Sequence, residues 1–155
     1  MAIVVADGCD GDAVTAIADR LTDEGAVPRF VSTTLGGVRP VTGDEIEIDV
    51  SLEAAPAVLY DALVLPNGAD AVTTLRGDGR TLEFIKDQYR HCKPILALGE
   101  SDQLLEACGI ETTLPSGRTD TGVLLASDAA SVIEDFVAAM AKHRHFARET
   151  DPPRV

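Results

Sequence analysis

The chain has 155 residues, which is the size of one domain on the usual scale of about 100–200 residues. Hydrophobic residues make up 45% and charged residues 25%, an ordinary globular balance that excludes a disordered, collagen-like or coiled-coil chain. Asp and Glu total 26 against 13 Lys and Arg, and the resulting charge of −13 argues against a nucleic-acid partner, because phosphate binding needs a basic face.

Met1–Ala6 is apolar but lacks the charged leader and long apolar run of a signal peptide, so it reads as a buried first strand. No apolar run approaches the roughly 20 residues of a membrane helix. Met1 stands directly on this strand with no linker before it, which suggests a domain cut from a longer polypeptide. Val14, Ile17, Ala18 and Leu21 follow at i, i+3, i+4, i+7, one face of a helix that Gly25 stops. Val27–Ser32 reads as a second strand. From Gly36 to Val50 the period changes to that of a hairpin, with arms Val38–Val41 and Glu45–Val50 about a Thr42-Gly43-Asp44 turn. Asp61–Pro66 is a buried strand ending in the turn signal Asn67-Gly68. A short helix over Asp70–Leu75 and a longer one carrying Leu82, Ile85 and Tyr89 come next. Pro94–Leu98 is a strand, Gly99 a sharp turn, and Leu104, Leu105 and Cys108 lie on the following helix. After the polar stretch Glu111–Thr121 comes a last strand, Val123–Ala126, and a helix with Ile133, Phe136, Val137 and Met140.

Strands alternating with helices imply a parallel sheet covered on both faces. Right-handed crossovers then favour an α/β, flavodoxin-like three-layer sandwich, mostly parallel, with an added hairpin. The expected domain is 1–146. The tail 147–155, charged and ending near Pro152-Pro153, is expected to be mobile.

Ligands in such sheets bind at the carboxyl ends of the strands. The loops there are Asp7–Asp12, Pro66–Asp70 and Gly99–Gln103. The run Pro94–Leu105 has the strand–turn–helix layout of a nucleophile elbow. Its apex is Gly99, which offers no nucleophile. Glu100 and Ser101 could serve only through a shifted register, and Ser101 fits a helix N-cap. Cys9 sits at a helix start, where a dipole could lower its pKa, but Asp7, Asp10 and Asp12 push the other way. Those three acids lack the span and closing Glu of a calcium loop, so no metal is expected. Cys9, Cys92 and Cys108 form no CxxC pair and read as reduced thiols of a cytoplasmic protein. His143 and His145, with Arg144 and Arg148, make a basic segment. It could dock on a neighbouring domain or serve as helix-end cations.

The opening VVADG (Val4–Gly8), the segment Asp49–Gly68 and the elbow together look like the PfpI-protease and class I glutamine-amidotransferase-like superfamily. Members of that superfamily often carry a cysteine where Gly99 stands here. A narrower likeness covers nearly the whole chain. VADGCDG (Val5–Gly11), LEFIKDQYRHCKPILALGES (Leu82–Ser101), LLEACGI (Leu104–Ile110) and AMAKHRHFARE (Ala139–Glu149) resemble the C-terminal domain of large-subunit haem catalases.

That resemblance implies an accessory domain without a catalytic residue or cofactor of its own. The haem and the detoxification of hydrogen peroxide would belong to the parent. The implied partners are the catalase core, the other subunits of a homotetramer and, for a chaperone-like activity, unfolded client proteins. Haem ligation by this chain is not expected, because Tyr60 and Tyr89 stand in apolar periodic contexts. Two other readings make different predictions. A stand-alone hydrolase or glyoxalase would use Cys9 or a displaced acid, and a small-molecule binding module would use the strand-end cleft.

Overall fold

The computed structural model describes every residue from Met1 to Val155. The apolar runs become the central strands. β1 (Ala2–Val4), β6 (Leu63–Leu65) and β7 (Ile95–Leu98) are buried along their whole lengths, as strands covered on both faces must be. With β2 (Arg29–Ser32), β5 (Val50–Ser51) and β8 (Val123–Ala126) they form a six-stranded sheet in the order β5-β2-β1-β6-β7-β8, every pairing parallel.

Between β1 and β2 runs α1 (Gly11–Asp23), which buries Val14, Ile17, Ala18 and Leu21. α2 (Ala69–Arg76) and α3 (Gly79–Arg90) connect β6 to β7, and α4 (Asp102–Cys108) leads towards β8. The chain steps one way from β1 to β2 and the other way from β6 to β8. Right-handed crossovers therefore put α1 on one face of the sheet and α2–α4 on the opposite face. α5 (Ile133–Ala141) returns to the α1 face, where Arg20 Nη2 lies 2.8 Å from Glu134 Oε1. This is the expected flavodoxin-like sandwich.

One expectation needs amendment. The hairpin is shorter than its pattern suggests: only β3 (Gly37–Val38) and β4 (Ile46–Glu47) pair antiparallel. The far end of the second arm leaves the hairpin and becomes β5, joining the main sheet beside β2. Alternation holds along this arm, with Ile46 and Ile48 buried and Glu45 and Glu47 exposed, so the pattern alone could not show the change of partner. Ala147–Thr150 form a turn of helix, α6, and Arg148 within it is buried.

Candidate functional site

The reversal of strand order between β1 and β6 brings the loops after β1, β6 and β7 together at the carboxyl ends of the strands, where such sheets bind ligands. They meet closely. The peptide of Gly68, at φ +122°, lies against the Gly8–Cys9 backbone, and a Cβ on Gly8 would come within 2.7 Å of Asp70 Cβ. Asp10 N–H donates to Asn67 O at 3.0 Å.

Gly99 makes the turn of the elbow in the left-handed region, at φ +51°. A nucleophile's Cβ at this position would run into the Asn67 side-chain amide. Asn67 Oδ1 also accepts the Glu100 N–H at 3.3 Å, so the residue that fills the apex also ties up a backbone donor there. Glu100 itself is exposed. Ser101 stands at the N-cap position of α4, but its hydroxyl is buried and donates to Pro66 O rather than capping the helix. The N-cap expectation for its side chain is corrected accordingly. In the sequence Asn67 reads only as half of the Asn67-Gly68 turn signal. Nothing in the sequence signals that it fills the apex, because its contact lies 32 positions away across the sheet.

Cys9 is fully buried, and its thiol is pushed up chiefly by that burial, with Asp10 and Asp7 adding to the effect. Burial likewise raises Cys92, and Cys108 to about 11. The acids around Cys9 diverge. Asp7 accepts Arg39 N–H at 2.8 Å, and Asp10 caps α1 through Ala13 N at 3.2 Å while accepting the Thr42 hydroxyl at 2.6 Å. Asp12 is exposed. No group of three His, Cys, Asp or Glu side chains converges as metal ligands.

At the other end of the sheet, the basic segment turns inward. Arg148 donates to Asp120 through Nε (2.6 Å) and Nη2 (3.2 Å), and through Nη1 to Lys93 O at 2.7 Å. Its guanidinium lies 4.1 Å over the Tyr89 ring. His145 is also buried, with Nε2 donating to Ala139 O and Nδ1 accepting from the Thr121 hydroxyl, both at 3.2 Å. Burial, with Arg148 adding to it, lowers the His145 pKa. A Cβ on Gly122 would lie 2.5 Å from Arg148 Nη2 and 2.6 Å from His145 Cγ, so this contact needs glycine. Of the four residues in this segment, His143 is exposed and Arg144 half-buried, with Arg144 Nη1 donating to His91 O. His145 and Arg148 are engaged within the chain.

Residues 1–150 match the family described as the C-terminal domain found in long catalases. The chain belongs to this family. It is 33% identical to Catalase HPII of Mycobacterium avium over 97% of its length and 23% of that protein's. It is 30% identical to Catalase HPII of Pseudomonas aeruginosa, over 96% and 20% respectively. The chain thus spans about a fifth of the length of these relatives. Oxidized Toxoplasma gondii DJ-1 shares the fold, with TM-score 0.75, 18% identity and 98% of both chains covered.

Neither tyrosine of this catalase C-terminal domain is placed to ligate a haem. Tyr60 packs on Phe84, with ring centroids 5.7 Å apart, and Tyr89 lies beneath Arg148 beside a recess of only about 260 Å³. Burial pushes the Tyr89 phenol up to about 12, away from the phenolate that an axial ligand requires. No helix of this domain is long and apolar enough to cross a membrane.

Proposed function

We propose that this chain is the non-catalytic accessory domain of a long haem catalase, packed against the catalase core and contributing to the stability and assembly of a homotetramer. The parent would carry the haem and remove hydrogen peroxide. The observation that supports this best is the elbow. Gly99 supplies no nucleophile, and Asn67 occupies the space where one would stand. Cys9, the other nucleophile considered, is buried and held protonated. Three unpaired cysteines suit a cytoplasmic protein.

The test is to isolate the native protein with an antibody against this domain. A polypeptide several times larger than 16.3 kDa, with Soret absorbance and oxygen release from peroxide, is expected. A free polypeptide of 16.3 kDa without haem would overturn the reading. Glyoxalase, esterase or peptidase turnover abolished by Cys9→Ala would favour a stand-alone enzyme instead.

Holding of unfolded clients forms part of the proposal, since Val27, Leu35, Val41 and Leu59 are exposed apolar groups on an acidic body. Suppression of client aggregation must exceed that of an equally acidic inert protein at equal mass. If it does not, client holding falls and the accessory role stands.

A further inference from the structure

α1 and α5 lie on the same face of the sheet, bridged by the Arg20–Glu134 ion pair. Two recesses open along the seam between them. One, about 610 Å³, lies near the helix starts and is floored by Ala13, Ile17, Ala129 and Ile133. The other, about 260 Å³, lies near their ends between Leu21, Val137 and Met140. Arg20 bridges the seam midway, and both Glu24 and Glu134 already neutralise it. The rim of the first recess is otherwise acidic, with Asp10, Asp12 and Asp128, none of which has an ion-pair partner. Over the other flank of α1 lies a further hollow of about 620 Å³. It carries Asp19, Asp44, Glu45 and Glu47, none of which has an ion-pair partner.

An apolar floor between two helices accepts the apolar face of a third helix. Along the 13 residues of α1 the seam runs for about 20 Å, enough for several turns. The rim decides what else that helix must carry. Uncompensated carboxylates repel a second copy of this chain, itself at −13, and attract a cationic flank. We infer that the α1–α5 seam is a docking groove for an amphipathic polypeptide helix with an apolar stripe and basic flanks. The inference does not rest on the accessory-domain reading, and its test uses the isolated chain.

The probe is a fluorescein-labelled helical peptide of Leu, Ala and Lys, about 18 residues long, with leucines at i, i+3, i+4 and i+7. Binding is followed by anisotropy at about 50 mM and about 300 mM salt, on either side of a Debye length of about 10 Å. A scrambled peptide of the same composition should bind at least tenfold more weakly. Ala16→Trp, at an exposed position on α1 that lines the first recess, should weaken binding about tenfold by filling it. Asp12→Asn with Asp128→Asn should weaken it several-fold and flatten the salt dependence. If Ala16→Trp does not fold, Ala130→Trp on the opposite lip makes the same test.

Equal binding of the scrambled peptide, or no effect of filling the recess, would reduce the groove to diffuse charge attraction and overturn the inference. So would a dimer in sedimentation that Ala16→Trp dissociates, which would assign the seam to a second copy.

Discussion

Arg148 and Asp120 are each almost wholly withdrawn from water, with 3% and 2% of their side chains exposed. Removing one partner of such a pair leaves the other charge buried alone. Arg148→Ala should therefore cost about 3–5 kcal/mol, read as a lower urea midpoint at unchanged slope. Replacing both residues by apolar ones of similar volume should recover most of it. A loss below about 1 kcal/mol would mean that the segment is not held by this pair. His145 gives the same region a pH dependence. Its folded pKa lies below the unfolded value of about 6.5, so the unfolded chain takes up a proton before the folded one does. Its contribution is complete above about pH 6.5 and is lost as pH falls towards the folded pKa. Between pH 7 and pH 5, His145→Gln should show a shallower fall in stability than the parent. In the sequence, both residues read equally well as helix-end cations. What draws Arg148 inward is Asp120, 28 positions away, and no local pattern links the two.

The β7–Gly99–α4 turn was recognisable as an element, because an apolar run, a glycine and an immediate helical period are local signals. Its plug was not, since Asn67 belongs to the loop after another strand. Gly99→Cys puts a side chain into that plug and into a left-handed backbone, and should cost about 2–4 kcal/mol from overpacking and strain together. Adding Asn67→Gly should restore about half of the loss and leave the introduced thiol open to a chromogenic disulfide. If the single variant is as stable as the parent, Asn67 yields freely and does not close the site. The splitting of the second hairpin arm has a related cause. A period-2 pattern identifies which residues face the core but not which strand lies alongside.

For the whole molecule, alternation of strand and helix was enough to give the parallel sandwich, because few topologies satisfy right-handed crossovers with both faces covered. The charge of −13 belongs to this scale too. It is self-repulsive, and repulsion among exposed carboxylates reaches further at low salt. Raising sodium chloride from about 10 mM to about 1 M shortens the Debye length from about 30 Å to about 3 Å. The thermal midpoint should rise by a few degrees, on the order of 1 kcal/mol. A flat or falling midpoint would show that the ion pairs lost to screening outweigh the repulsion relieved.

The three thiols bear on chemical durability. Peroxide oxidises the thiolate, and it must reach the sulfur to do so. Cys9, Cys92 and Cys108 are all buried, and all are biased towards the protonated form. Placed beside an enzyme working on peroxide, such a domain would lose little to sulfenic or sulfinic acid, and would outlast a relative whose elbow carries an exposed thiolate.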